Sequence, residues 1–334
     1  MKTLYLLTLT MLLASCAKAQ PNIDAVRLDC IGQPLPKIRH MIEMKVLSDT
    51  LFFVYECDEG FGQRILRRAT IDKQKHQLVI GPEIGKRGNG SYVSFMPYPF
   101  VGEDGKMSVA GQDDGEIYKL ADDSVLVRTK TNLFNAKVPL AISQYAQDIF
   151  SVSPNKYVFI GREPSGGAQY AMSVDMYSAR MDTMRRISIS STQTAWMPNA
   201  GEMVYSNKYN RMAFAYRLHP IVDIFNADGT LVNKARIGKD TFNPNTLNEA
   251  DFEELNTLHT VDATYTQDYI YALHWACKYA EIPTASPTIY KIDWNGNIIN
   301  RYVSDSTFLY GIAAIDDSNF IGWTGNEFVI LTVP

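Results

Sequence analysis

This sequence of 334 residues has only four cysteines, five histidines and no cluster of basic residues. The formal net charge is −4, and lysine and arginine run no further than pairs, so we expect no nucleic-acid partner. The histidines form neither HExxH nor HxH, and no GxSxG occurs, which argues against zinc-protease and serine-hydrolase chemistry. Beyond residue 15 no apolar run is long enough for a transmembrane helix.

An uncharged apolar stretch over residues 4–14 follows a single lysine, Lys2. It is too short to span ~30 Å of hydrocarbon, so it is typical of a signal segment. It ends in Leu-Ala-Ser-Cys at 13–16, which resembles the lipobox of bacterial lipoproteins. The resemblance implies that the signal is cut before Cys16 and that Cys16 carries diacylglycerol. The alternative is an A-x-A site at 17–19, which would release a soluble protein.

We therefore predict a signal peptide over 1–15, a polar tether over 16–23 and a folded body over 24–334. No aspartate directly follows Cys16, which favours the outer membrane, with the body facing the periplasm or the cell surface. The body is expected to be monomeric and to contact the membrane only through the N-terminal lipid.

Three further cysteines, Cys30, Cys57 and Cys277, lie far apart and are odd in number. Their spacing excludes a CxxC zinc or redox site. We expect buried structural thiols, with a Cys30–Cys57 disulfide as the alternative.

The body alternates short β-rich runs with turn residues, which predicts an all-β fold. Asp-Gly and Asn-Gly turns mark two hairpins, since glycine accepts a positive φ there. Three weaker copies follow the same pattern. The five predicted hairpins cover 222–232, 289–299, 69–80, 115–127 and 173–184.

Equivalent positions of these hairpins lie about 55 residues apart, a period typical of β-propeller blades. Six further runs rich in aromatic and β-branched residues supply other blade strands. The last blade lacks an outer strand, which the N-terminal run 24–31 can provide by pairing with 327–333. The prediction is a six-bladed β-propeller whose ring is closed by the N-terminal and C-terminal strands.

The Leu-Ala-Ser-Cys segment, the six blade-like units and the glycine-rich stretch 84–97 together resemble the lipoproteins with a TolB-like six-bladed propeller found in Bacteroides-type bacteria. The resemblance implies the fold and an envelope location. It implies no catalytic residues, because that family has no agreed activity.

Candidate binding residues lie where the chain enters a blade and would line the channel mouth. Aromatic rings there offer a large contact area for a sugar or a protein side chain. His259 and Asp262 are three residues apart on a predicted innermost strand and could share a rim. The predicted binding residues are Tyr92, Phe95, Tyr98, Trp196, His259 and Asp262.

The favoured function is a non-catalytic envelope protein that binds a protein or glycan through one face of the ring, without a cofactor. The alternative is a metal-dependent hydrolase or lyase, in which calcium would sit over the channel on Glu43, Asp148, Asn199 and Asp262. Convergence of Glu43, Asp148, His259 and Asp262 on the axis would favour the enzyme, and exposed aromatic residues at one mouth would favour the binding protein. A short helix over 248–255 is predicted outside the blades.

Overall fold

A computed structural model describes residues 22–57, 63–85, 96–121, 124–135, 143–163, 167–247, 249, 251–304 and 306–334. In these ranges the chain forms six sheets around a central channel, with only short helical turns. The predicted six-bladed propeller is confirmed. Cys16, Tyr92, Phe95 and the predicted signal segment lie outside the described residues. Within the ranges above, no helix combines the length and apolarity needed to cross a membrane.

Two N-terminal strands precede the blades: β1 (Asp24–Arg27) and β2 (Asp29–Gly32). The strands of blades 1 to 3 are β3 (Ile38–Leu47), β4 (Thr50–Cys57), β5 (Arg64–Asp72), β6 (Gln77–Ile84), β7 (Pro97–Val101), β8 (Met107–Gly111), β9 (Glu116–Leu120), β10 (Leu126–Asn132), β11 (Ser143–Ser153), β12 (Lys156–Arg162), β13 (Gln169–Asp175) and β14 (Arg180–Ile187). Those of blades 4 to 6 are β15 (Gly201–Ser206), β16 (Arg211–Tyr216), β17 (Ile221–Asn226), β18 (Leu231–Arg236), β19 (Leu258–Tyr265), β20 (Tyr269–Cys277), β21 (Thr288–Asp293), β22 (Ile298–Val303), β23 (Gly311–Ala314), β24 (Asn319–Trp323) and β25 (Phe328–Thr332). One α-helical turn, α1 (Phe252–Leu255), and 3₁₀ turns at Leu133–Asn135, Met197–Asn199, Pro244–Thr246 and Tyr279–Thr284 connect them.

Each blade is an antiparallel meander that runs outward from the channel. The first strands β3, β7, β11, β15, β19 and β23 contact one another in sequence around the ring. The five predicted hairpins are the outer two strands of blades 1 to 5. Gly229 and Gly296 occupy their turns with φ of 83° and 85°, as the Asp-Gly and Asn-Gly signals predicted.

The N-terminal segment joins the last blade to the first. β1 pairs antiparallel with β25, so the predicted closure of the ring is confirmed. The predicted single strand over 24–31 is wrong in one respect, because the chain changes sheets at Leu28. β2 then adds to blade 1 and pairs in parallel with β6. We call residues 24–32 the N-terminal clasp.

Six clusters of buried apolar side chains lie between neighbouring blades, one at each interface of the described structure. The sequence of strand β4 is largely apolar and does not alternate between apolar and polar residues. Phe53 faces blade 6 whereas Phe52, its neighbour, faces blade 2. Both faces of the strand are therefore buried, and each blade depends on its neighbours for its core.

Two smaller expectations need correction. The helix predicted over 248–255 is a single turn at Phe252–Leu255 in the described part of that segment. The thiols of Cys30, Cys57 and Cys277 are free, which leaves the alternative disulfide unformed. Only Cys277 is buried; Cys30 is exposed because it lies on the edge strand β2.

Candidate functional site

Carboxyl side chains from four innermost strands meet in the channel. Glu43 lies on β3, Asp148 on β11, Glu202 on β15 and Asp262 on β19. Glu43, Glu202 and Asp262 line one inner cavity of about 110 Å³, together with Arg217. Because the innermost strands of a propeller run side by side along its axis, residues distant in sequence reach the same cavity.

Irregular backbone positions these groups. Strand β3 has two register shifts against β4, between Ile38 and His40 and between Met41 and Glu43. Asp148 has a φ of 52°, the left-handed region that costs energy for a residue with a side chain. Bulges of this kind redirect side chains out of the regular alternation, and they concentrate next to functional sites.

Two of the carboxyls also link adjacent blades. Asp148 accepts a hydrogen bond from the backbone N–H of Met203 at 2.7 Å and from the Tyr98 hydroxyl at 3.3 Å. Asp262 accepts one from the backbone N–H of Ile312 at 2.7 Å. In both cases the donor N–H belongs to the innermost strand of the following blade, so these carboxyls hold the inner ring together.

The acids of the inner cavity differ in their electrostatic surroundings. Burial, with Glu43 and Glu202 nearby, raises the pKa of Asp262 to about 8. Burial also raises the pKa of Glu202, although Arg217 opposes this. Glu43 instead forms an ion pair with Lys45, with Oε1 and Nζ 3.1 Å apart. Asp262 is thus mainly protonated at neutral pH beside an ion-paired carboxylate.

One end of the channel opens into a concave cavity of about 570 Å³, which we call the aromatic mouth. Two of its rings are exposed: Tyr279 keeps 43% and Tyr310 41% of its surface in solvent. The residues that line it are Arg39, His40, Met41, Ile42, Arg217, Leu258, Val261, Trp275, Tyr279, Tyr310, Trp323 and Gly325. Arg217 and Tyr310 also line the inner cavity, so the two spaces meet.

Buried contacts hold the aromatic mouth rigid. The indole N–H of Trp275 donates to the Leu309 carbonyl at 2.7 Å, and its ring centroid lies 5.3 Å from that of Tyr310. Gly325, with a φ of 98°, leaves room for the Tyr310 ring, since a Cβ there would lie 3.1 Å from that ring. Ala276, next to Trp275, has a φ of 54° at a register shift between β19 and β20. Such strain in an alanine is typical of a backbone held for function.

The opposite end of the channel opens into a cavity of about 480 Å³. Lys45 lines it, together with Phe150, Tyr205 and Tyr265. Phe150 and Tyr205 are buried, with 6% and 3% of their surfaces exposed. This opposite mouth therefore lacks the exposed rings of the aromatic mouth among the residues described.

The structure separates the predicted binding residues. Asp262 lines the inner cavity. Tyr98 is buried and bonds to Asp148 within the channel wall, so it cannot form an exposed platform. Trp196 is not among the residues that line the aromatic mouth, and the Arg162 guanidinium lies 4.1 Å from its ring centroid. The positions of Tyr92 and Phe95 fall outside the described residues. A role of these residues in binding stays a prediction.

His259 does not share a rim with Asp262. It is 2% exposed and stacks on His274, with Nδ1 of the first 3.2 Å from Nε2 of the second. Burial lowers the pKa of His259 to about 4 and that of His274 to about 3. Both rings are therefore neutral at pH 7. The register shift between Leu258 and Thr260 turns His259 away from the channel.

The four predicted calcium ligands come together only in part. Glu43, Asp148 and Asp262 belong to the channel, whereas Asn199 does not. The Asn199 amide donates to the carbonyls of Gln193 and Ala195, and its Oδ1 accepts the N–H of Ile189. Throughout the described ranges no three histidine, cysteine or acidic side chains are arranged to hold a metal ion. This donor set does not fit calcium.

Sequence reasoning missed most of the aromatic mouth. Tyr279 and Tyr310 lie in connections outside the strands, where the blade pattern gives no signal. Glu202, like Glu43, is an acidic residue within a largely apolar strand. This pattern in the sequence could have identified Glu202 as a candidate site residue. Arg217 directly follows β16 and shows no motif.

Comparisons with known proteins inform the fold. No family model matches the sequence, and no curated protein matches it either. The chain is similar to a solved structure of a DUF4221 family member from Bacteroides vulgatus, with a TM-score of 0.57 and 10% identity over 94% of this chain and 98% of that one. It is also similar to a protein of unknown function from Bacteroides thetaiotaomicron, with a TM-score of 0.55 and 10% identity over 94% of this chain and 77% of that one.

A third likeness reaches beyond Bacteroides. The Swd1 β-propeller domain of Myceliophteria thermophila matches with a TM-score of 0.51 and 10% identity, over 94% of this chain and the whole of that one. At such identities these likenesses show the propeller fold alone. The lipoprotein signal and the TolB-like classification stay predictions.

Proposed function

We propose that this chain is a lipid-anchored protein of the bacterial envelope that binds a carbohydrate at the aromatic mouth without changing it chemically. The observation that carries the proposal is the pair of exposed rings, Tyr279 and Tyr310, above a polar inner cavity. Aromatic faces stack on the apolar face of a sugar ring, and carboxyl groups exchange hydrogen bonds with its hydroxyls.

The dimensions of the mouth favour a glycan over a protein partner. A cavity of about 570 Å³ falls within the range of ~300–1,000 Å³ typical of small-molecule sites. A stable protein partner would instead need roughly 800 Å² of continuous contact surface. The walls of the aromatic mouth are held by hydrogen bonds such as that from Trp275 to Leu309. The site is therefore formed before the ligand arrives.

The test is a carbohydrate array probed with the purified protein, followed by titration of the best neutral oligosaccharide. Loss of the Tyr310 platform in Tyr310→Ala should weaken binding about tenfold, since a well-placed aromatic contact contributes roughly 1–1.5 kcal/mol. Tyr177→Ala is the control, because Tyr177 is 92% exposed on a distant hairpin of blade 3. Binding that survives Tyr310→Ala and Tyr279→Ala together would contradict the proposed site.

The anchor is tested separately. Cys16→Ser should move the protein from the detergent phase to the aqueous phase in phase partition, because the acylated thiol is lost. Cys30→Ser should leave partition unchanged, since Cys30 lies within the folded body. If Cys16→Ser still partitions with detergent, the lipid anchor is absent.

A second candidate is a hydrolase or lyase that acts on the bound sugar. It rests on one observation: Asp262, with a pKa of about 8, shares the inner cavity with the ion-paired Glu43. A protonated and an ionised carboxyl in one cavity can act as general acid and general base. Mass spectrometry of oligosaccharides incubated with the protein distinguishes the enzyme from the binding protein, because shortened or unsaturated products require catalysis.

A further inference from the structure

We propose that the carbohydrate recognised at the aromatic mouth carries a carboxylate, as the uronic acids do, and that Arg217 with Arg39 binds this group. The inference rests on the proposed function and adds the chemical class of the ligand.

Arg217 is held in place but is weakly paired. Its backbone N–H donates to the Ala200 carbonyl at 2.7 Å, and its own carbonyl accepts the N–H of His259 at 2.6 Å. Its guanidinium lies 3.6 Å from Glu202 and 3.8 Å from Glu253. Both distances exceed the ~2.7–3.2 Å of an N–H···O hydrogen bond, so these are loose ion pairs. Among the described residues, Arg217 has no shorter ion pair.

Arg39 adds a second cation on the same wall. It is the extra residue at the first register shift of β3, and its side chain is exposed. No ion pair of Arg39 is formed with any residue in the described ranges. Lys45, by contrast, lies at the opposite end of the channel and is already paired with Glu43 at 3.1 Å. Arg217 and Arg39 thus bring two cations to the aromatic mouth.

A guanidinium offers a planar set of donors that matches a carboxylate in a bidentate pair. In the aromatic mouth this group stands beside the exposed rings of Tyr279 and Tyr310. A sugar ring with a carboxylate satisfies both features at once, since the ring stacks while the carboxylate reaches the arginine. Glu202 and Glu253 flank Arg217 and oppose a second negative charge, which favours one carboxylate per bound sugar.

The test compares two probes that share the same sugar rings: a galacturonic acid trimer and its fully methyl-esterified form, in which each charged carboxylate becomes a neutral methyl ester. Trp275 and Trp323 line the mouth, so tryptophan fluorescence reports binding. The acid should bind about tenfold or more tightly than the ester at low salt, and the difference should shrink as salt rises. In Arg217→Gln most of the preference for the acid should disappear, with Arg39 keeping a small remainder, while binding of the ester is kept.

Two further variants are tested with the same ligands: Arg217→Lys and Arg180→Gln. The lysine keeps the charge but loses the planar fork, so it should retain only part of the preference for the acid. Arg180, 72% exposed on a blade 3 hairpin, is the matched control and should change nothing. The wild-type protein could instead bind the acid and the ester with equal affinity, and lose both ligands in Tyr310→Ala. That result would overturn the carboxylate inference but would still support a carbohydrate site at the aromatic mouth. An acid that fails to bind while the array shows neutral ligands at this mouth would overturn the carboxylate inference as well.

Discussion

At the scale of single residues, the channel shows how burial sets the protonation of like-charged groups. Four carboxyls share the channel with the cations Lys45 and Arg217, and Arg162 is also near enough to lower the pKa of Glu202. The burial of these carboxyls makes charge costly there, so the pKa values of Glu202 and Asp262 are raised. The pKa of Asp148, which is 1% exposed, is raised well above its ordinary value by burial and by Glu202 and Glu43.

Asp262 gives this effect a measurable consequence. Its pKa is raised to about 8 in the folded protein from an ordinary value of 3.8. The proton it keeps stabilises the folded state fully at low pH, and this contribution is lost as the pH rises through about 8. From pH 7 to pH 9 the free energy of unfolding should fall by roughly 1 kcal/mol because of this group. Urea denaturation at both pH values measures it.

Asp262→Asn should remove this fall, because an amide does not titrate. Asp228→Asn is the control: Asp228 lies in an exposed turn, and hydrogen bonds from Thr230 lower its pKa. It should keep the wild-type difference between pH 7 and pH 9. An unchanged difference in Asp262→Asn would show that Asp262 is ionised in the folded protein.

At the scale of elements, the clasp joins the two ends of the ring. Its two strands use opposite pairings, antiparallel to β25 and parallel to β6. Leu28 sits between them, 2% exposed, and its side chain packs into the cluster between blades 1 and 6. The clasp therefore covers the interface between blades 6 and 1 and protects two sheet edges.

Leu28→Ala should destabilise the protein by about 2–4 kcal/mol, the usual cost of emptying a buried leucine site. Ile31 lies three residues away but is 43% exposed, so Ile31→Ala should lower the free energy of unfolding by less than about 1 kcal/mol. Chemical denaturation of the two variants gives the comparison. Equal costs would mean that the clasp does not close the ring.

Strands were easier to predict than this connection. The second strand of each blade and the hairpins follow from apolar runs and turn residues that act locally. The change of sheet at Leu28 depends on contacts with blade 6 and blade 1 together, and a single sequence does not show them. The register shifts of β3 and β19 escape sequence patterns for the same reason.

At the scale of the whole molecule, repetition made the architecture predictable. A period of about 55 residues and a missing outer strand were enough to infer six blades and their closure. The candidate site was harder. Glu43, Asp148 and Asp262 were predicted, with Asn199, as possible calcium ligands over the channel, whereas Tyr279 and Tyr310 lie in irregular connections that carry no sequence motif.

We propose that the aromatic mouth is a carbohydrate site. The most direct measurement is a crystal structure of the protein with the tightest-binding oligosaccharide from the array. We expect a sugar ring stacked on Tyr279 or Tyr310, with its polar groups directed toward Arg217 and the inner cavity. A ligand seated in the opposite mouth between Lys45 and Tyr265, or on the outer surface of the blades, would contradict the account.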